Sequence, residues 1–200
     1  MDELVRIVRA RRMVRAFTDR PLPGALVDEL LDLARRAPSA GNTRPWEFLV
    51  LRGQAVPRYW DVTMPDAEVR ARFRWPGLLS APVLVVPYVR PGAYVDRYAE
   101  PDKAATGRGS GAGAWPVPYW WIDGGAAVQN LLLAATGAGL GACLFGQFEH
   151  EAAVRQAFGV PDDRRALGTV ALGWPAPDEP GRSAGRRRPP LEEIVHHDRW

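Results

Sequence analysis

One cysteine, Cys143, is all the thiol chemistry that the 200 residues carry, which excludes a disulfide within the chain. It stands among Ala142, Leu144 and Phe145, a setting that predicts a buried, inert thiol rather than a nucleophile. Histidine is almost as scarce. His150, His196 and His197 show no H-E-x-x-H spacing and no C-x-x-C accompanies them, so no metal site is expected. Long apolar runs are missing too: the richest stretch, Ala126 to Ala135, is broken by Gln129 and Asn130 and is too short to span a bilayer. Met1-Asp2-Glu3 is acidic and lacks the apolar run of a signal peptide, so a cytoplasmic protein without a membrane partner is expected. Neither a Ser-His-Asp set nor a paired-acid motif stands out. Repeats and an internal linker are absent, and 46% apolar with 24% charged residues describes one globular domain over residues 1–200, or one subunit of a dimer.

Lysine is the last scarcity, and it points to what is present. Lys103 is the only lysine among 26 basic residues, and the net charge is +3. Guanidinium binds phosphate as a two-pronged fork where ammonium offers a point charge, so an arginine-dominated surface suits phosphate recognition. An isoelectric point of about 9.4 also raises a nucleic-acid-binding alternative. The basic clusters, however, lie at opposite ends of the chain without a recognisable reading helix, so no nucleic-acid partner is expected.

Taken in order, residues 3 to 10 place Leu4, Val5 and Val8 at helical spacing, and Arg11-Arg12-Met13-Val14-Arg15-Ala16-Phe17 follows as a basic loop. Leu22-Pro23-Gly24 opens a second helix with Leu26, Leu30, Leu33, Ala34 and Ala37 as its buried stripe, ending at Pro38. Ser39 to Arg44 is a small, polar turn, and Pro45-Trp46 leads into a strand at 47–52. A polar helix is expected over 66–75. A near-continuous apolar strand is expected over 82–90, its far end irregular or at an edge because of Pro87.

Residues 91 to 122 combine a glycine-rich run with Trp115, Tyr119, Trp120 and Trp121. That composition reads either as aromatic core or as a substrate wall beside a mobile lid. Asp123 is a plausible N-cap for a helix through Ala138 with Ala127, Val128, Leu131, Leu132 and Ala135 buried. Gly137-x-Gly139-x-Gly141 follows a helix instead of a strand, so it is no dinucleotide-binding fingerprint. Strands at 142–146 and 167–173 flank a helix at 150–158, and Arg186-Arg187-Arg188 precedes the amphipathic Leu191 to Val195. Few strands among many helices imply an α+β sandwich, with helices around one central mixed sheet.

Three separated stretches resemble one family. Arg11-Arg12-Met13-Val14-Arg15-Ala16-Phe17 is similar to the R-R-S-x-R-x-F segment of FMN-dependent nitroreductases, with methionine where serine is usual. Pro38-Ser39-x-x-Asn42-x-Arg44-Pro45-Trp46 resembles their P-S-x-x-N-x-Q-P-W segment, with arginine in place of glutamine. Gly146 and Gln147 match the segment whose backbone approaches flavin N5, and glycine permits that approach. The likeness spans nearly the whole chain except residues 54 to 75 and 91 to 121.

The resemblance implies an intertwined homodimer with two FMN molecules at the subunit interface. It implies that the Arg11, Arg12, Met13 and Arg15 loop meets the phosphate and the ring edge, and that Ser39 and Asn42 reach the flavin from the partner. Arg44 would add charge at the ring or pair with a nearby acid. Arg186, Arg187 and Arg188 would close over the phosphate, with Pro189-Pro190 inserting one position in the register. The implied chemistry is ping-pong transfer from NADH or NADPH through flavin to a nitroaromatic or quinone, with no catalytic residue beyond the cofactor. Alternatives are a flavin-dependent dehydrogenase that uses oxygen and a non-catalytic flavin-binding protein.

Overall fold

A computed structural model describes residues 1–179, 181 and 184–200. Among the described residues, seven α-helices and five strands follow one another: α1 (Asp2–Ala10), α2 (Gly24–Ala34), β1 (Trp46–Arg52), α3 (Ala55–Thr63), α4 (Ala67–Ala71), β2 (Val83–Val89), α5 (Gly92–Ala99), α6 (Tyr119–Gly137), β3 (Gly141–Phe145), α7 (Glu151–Phe158), β4 (Arg165–Ala166) and β5 (Thr169–Gly173). The expected α+β architecture is present. The sheet runs β1-β2-β5-β3, with β4 beside the far end of β2.

The mixed sheet expected from the sequence is corrected: every described strand pairing is antiparallel, as in Phe48 opposite Pro87, Val83 opposite Leu172 and Cys143 opposite Ala171. Helices between strands do not by themselves make neighbours parallel, because a long connection can return to either end of a sheet. Pro87 is also relocated. It lies in the central strand β2, between the stretch paired with β5 and the stretch paired with β4, where a missing N–H breaks no described ladder on that side.

Alternation along β2 explains the layers. Leu84 and Val86 face one side with Leu51 and Ala171, where α3 contributes Val56, Tyr59 and Trp60 and α7 contributes Val154. Val83 and Val85 face the other side with Val170 and Leu172, against Val27 and Leu30 of α2 and Val128, Leu131 and Ala135 of α6. All of β2 is buried, as a strand covered on both faces must be. The helix α3 lies where the sequence pattern assigned nothing. Pro57 is in its first turn, where no N–H is needed, and Val56, Tyr59 and Trp60 supply a helical stripe. The polar helix expected over 66–75 shortens to α4, capped by Asp66, whose carboxylate accepts the Glu68 and Val69 N–H groups.

Two further expectations change. On α2 the buried face is Val27, Leu30 and Ala34, while Leu33 is exposed and joins Leu4, Ile7, Leu26 and Leu133 in a groove between α1, α2 and α6. Residues 91–122 are not an open loop. They form α5 and three single-turn 3-10 helices (Ala104–Thr106, Arg108–Ser110, Ala112–Ala114). Gly109 packs so closely on the Ala99 backbone that a Cβ there would stand 2.6 Å from its nitrogen. Trp115 and Trp120 are buried around Tyr94 and Tyr98, whereas Tyr119 is exposed and Trp121 half-buried. For Trp115 and Trp120 the core reading is the one the fold adopts.

Candidate active site

The basic loop lies along the free edge of β3. Val14 N–H donates to the Ala142 carbonyl at 2.9 Å, and the Met13 sulfur accepts the Leu144 N–H at 3.4 Å. Methionine thus takes a structural contact at the position where the resembled segment usually has serine. Gly141 allows the buried Val14 and Phe17 to sit on the strand, since a Cβ there would meet Val14 at 2.8 Å. The segment after β5 closes the other side: Thr18 N–H donates to Trp174 O, and Ala176 N–H to Ala16 O, each at 3.0 Å.

That pairing delivers a residue the sequence reading missed. Asp178 accepts the Arg15 N–H at 2.8 Å and an Arg12 guanidinium N–H at 2.7 Å, with its side chain 5% exposed. Burial pushes its pKa up, but the Arg15 N–H and the Arg12 guanidinium outweigh this and hold the carboxyl below the usual range. An acid in a Pro- and Gly-rich stretch, next to a second acid at Glu179, gave no signal; only the strand-like pairing of residues 174–178 with 15–18 shows its place. Arg12 is therefore engaged. Arg15 donates to the Met13 carbonyl at 3.2 Å and lies over the Trp75 ring at 5.1 Å, and Arg11 is half-buried at the end of α1. Arg186, Arg187 and Arg188 are exposed and make no hydrogen bond or ion pair among the described residues.

Because the carboxyl is more acidic in the folded chain, its contribution is full above the unfolded carboxylate pKa and is lost as pH falls through the lower folded value. Asp178→Asn should destabilise the protein at pH 7 by about 1–3 kcal/mol. The gap to wild type should narrow in urea titrations as pH falls below the ordinary carboxylate range; a gap that does not depend on pH would remove the charge from this account.

Beyond the end of β3 lies a cavity of about 340 Å³, walled by Arg15, Tyr59, Trp60, Trp75, Phe145 and the Gly146–Gln147 turn. Trp60 stacks on Phe145 with ring centroids 5.6 Å apart. The Gln147 side chain is buried; its amide donates to Thr169 Oγ1 at 3.0 Å, Tyr59 Oη shares that hydroxyl at 2.7 Å, and Gln147 Oε1 has no partner. Gly146 has a flat neighbour: the Phe148 ring comes within 2.6 Å of where a Cβ would stand, and that ring is 82% exposed. Cys143 lines the cavity wall, and burial pushes its thiol pKa up, as expected for an inert thiol.

Ser39 to Arg44 forms a second locus. Ser39 Oγ accepts the Arg44 N–H at 2.9 Å, and Arg44 Nε donates to Asn42 Oδ1 at 2.9 Å. Asn42 and Arg44 both carry positive φ (55° and 53°), a conformation that needs support from outside. Arg97 donates to the Gly41 carbonyl at 2.8 Å, and the buried Asp123 accepts the Ala40 N–H at 2.8 Å and the Tyr94 hydroxyl at 2.5 Å. Asp123 does not cap α6: the helix begins at Tyr119, and the carboxylate instead ties the turn to the helix and to α5. No carboxylate pairs with Arg44 among the described residues. The turn lines a cavity with Arg35 and Arg36 that is separate from the one at Arg15 and Gly146. No described group of acids, histidines and cysteines could hold a metal, and no described helix is long and apolar enough to cross a membrane.

The sequence profile of the nitroreductase family matches residues 8–174. The chain belongs to the nitroreductase family. Among curated relatives it is 32% identical to an NADH dehydrogenase of Thermus thermophilus, covering 92% of this chain and 91% of that protein. It is 30% identical to a 4-nitrobenzoate reductase of a Nocardioides species, covering 94% and 87%. A solved putative nitroreductase in complex with FMN from Desulfovibrio desulfuricans superposes with a TM-score of 0.70 at 24% identity, covering 98% of this chain and 97% of that one. As a nitroreductase-family oxidoreductase, the chain places its basic loop and its glycine turn at the same strand edge.

Proposed function

We propose that this protein is an FMN-dependent oxidoreductase that draws on NADH or NADPH and reduces a nitroaromatic or a quinone, working as a homodimer. The observation that carries the proposal is the shared cavity of Arg15 and the Gly146–Gln147 turn at the end of β3. There, the Arg15 guanidinium adjoins the side-chain-free backbone of Gly146. An aromatic ring, that of Phe148, already lies against this strip, so it accepts a flat group at close range. The unpartnered, buried Gln147 Oε1 beside it is a further sign of a site built for a polar partner. The relative named for 4-nitrobenzoate and the relative solved with FMN support the same reading.

In this reading Arg11 and Arg15 hold the phosphate and the ring edge, while Arg12 holds Asp178 and so fixes the loop. Gln147, locked by Thr169 and Tyr59, fixes the Gly146–Gln147 peptide against the ring. Trp60, Trp75 and Phe145 keep water from that side of the cavity. The chemistry FMN supplies when bound is two-electron exchange between a nicotinamide and an electron-poor acceptor, in alternating half-reactions. Asn42 lines a different cavity from Arg15 within one chain, which fits Ser39 and Asn42 meeting the same flavin from a second copy. The groove of Leu4, Ile7, Leu26, Leu33 and Leu133 is apolar surface that such a copy would cover.

Purified protein should be yellow, should run as a dimer in sedimentation, and should oxidise NADH or NADPH when menadione or a nitroarene is supplied. Colourless protein that takes up no added FMN would sink the proposal.

A further inference from the structure

The buried polar chain behind Gln147 holds more than a turn. Thr169 opens β5 opposite Phe145, the last residue of β3, and is fully buried. Gln147 Nε2 donates to Thr169 Oγ1 at 3.0 Å, and Tyr59 Oη lies 2.7 Å from the same oxygen. We infer that Thr169 is a positioning residue: it turns the Gln147 amide so that the oxygen, not the NH2 group, is left for the bound ligand, and the site thereby favours the reduced cofactor over the oxidised one. The inference rests on the function proposed above.

Orientation of the amide is the first argument. A primary amide presents two donors at one end and an acceptor at the other, in nearly the same shape, so only its partners decide which end faces a ligand. Thr169 takes the NH2 end. Its branched side chain has little freedom about χ1, and Tyr59 holds its hydroxyl from the side of α3. Burial lifts the Tyr59 pKa above the ordinary tyrosine value, against the opposing bonds to Thr169 and Gln147, so this partner stays a neutral hydroxyl. What remains is Gln147 Oε1, in a side chain 4% exposed, on the wall shared with Arg15 and Gly146, with no hydrogen bond among the described residues. A buried acceptor without a donor loses free energy that a ligand restores by bringing an N–H or an O–H.

Ligand chemistry is the second. Against the edge of an oxidised isoalloxazine, which is mostly bare acceptor atoms, Gln147 Oε1 has little to accept. Once a nicotinamide has handed over a hydride (two electrons and a proton, leaving the nicotinamide as its oxidised cation), that edge carries one N–H more, and Oε1 can accept it. An amide turned the other way would favour the oxidised form instead. The lock also belongs to this chain in particular. Tyr59 comes from α3, which lies in residues 54 to 75, outside the stretches that carry the family resemblance.

The midpoint potential of bound FMN, read by spectroelectrochemical titration with no substrate present, tests this without turnover. Thr169→Val keeps the shape and removes the hydroxyl; its preference for reduced over oxidised FMN should fall about tenfold, a drop of about 30 mV for a two-electron couple. Thr169→Ser restores the hydroxyl and should stay within about twofold of wild type. Gln147→Leu should shift as far as Thr169→Val, and the double variant no further than either, because Thr169 acts only through the amide. A merely structural role weakens both redox states alike and leaves the potential where it was. An unchanged potential in Thr169→Val or Gln147→Leu overturns the inference, and so does a double variant in which the two shifts add. Should Thr169→Val not fold, Gln147→Leu against wild type decides by the same shift. A wild-type chain that takes up no FMN overturns the proposed function together with this inference, whereas a flavin-loaded one with an insensitive potential overturns the inference alone.

Discussion

The double variant Arg11→Ala, Arg15→Ala is expected to purify largely without flavin and to recover little of it on addition of FMN. Charge-assisted hydrogen bonds contribute about 1.5–3 kcal/mol each, so losing two weakens binding by about 3–6 kcal/mol, or about 10²–10⁴-fold. Neither arginine carries an ion pair with a carboxylate among the described residues, so neither change strands a buried acid. Arg12→Ala is the discriminating control. Its guanidinium is committed to Asp178 at 2.7 Å, so it should lower stability and leave the flavin content near wild type. Absorbance of the bound flavin per mole of protein reads both variants against wild type. Full flavin in the double variant would move the phosphate site elsewhere, with the exposed Arg186–Arg188 run as the next candidate.

The second large effect is on stability. Asp123→Ala should cost about 2–5 kcal/mol, because it strands the Tyr94 hydroxyl and the Ala40 N–H without the acceptor they now share. At about 2–4 °C per kcal/mol for a chain of this size, the melting temperature should fall by about 4–20 °C. Burial and the adjacent Asp123 carboxylate both hold the Tyr94 hydroxyl far above the ordinary tyrosine pKa, which keeps it a donor throughout the accessible pH range. Asp123→Asn keeps an acceptor oxygen and should recover part of the loss. Tyr94→Phe should cost less than Asp123→Ala, since the bond to Ala40 survives. Calorimetric melting of the three variants gives the order, and an Asp123→Ala protein melting within about 2 °C of wild type would show the carboxylate to be dispensable.

Both variants probe contacts of different legibility in the sequence. The arginine loop and the Ser39 to Arg44 turn could be picked out as local patterns, because their chemistry lies in adjacent residues. Asp123 was visible only as a possible helix cap. Its true role depends on α5 arriving beside α6 and on the turn folding against both, which no spacing within residues 119–137 encodes. Asp178 was silent for the same reason. The aromatic run shows the converse: composition announced Trp115 and Trp120, but whether large rings face a ligand or one another depends on what packs above them, here Tyr94 and Tyr98.

What the sequence determined by itself was the alternation of helices and strands, the buried stripe of α6, the full burial of β2 and the inertness of Cys143. Each follows from short-range periodicity or from a single residue's neighbours. Tertiary structure alone decided that the sheet is antiparallel and that Leu33 faces outward. It also decided that the arginines of the N-terminal loop meet an acid from the segment after β5, and that Arg44 shares a cavity with Arg35 and Arg36. These depend on which elements become neighbours across tens of residues, and that is settled by the packing of whole faces rather than by the pattern along any one of them.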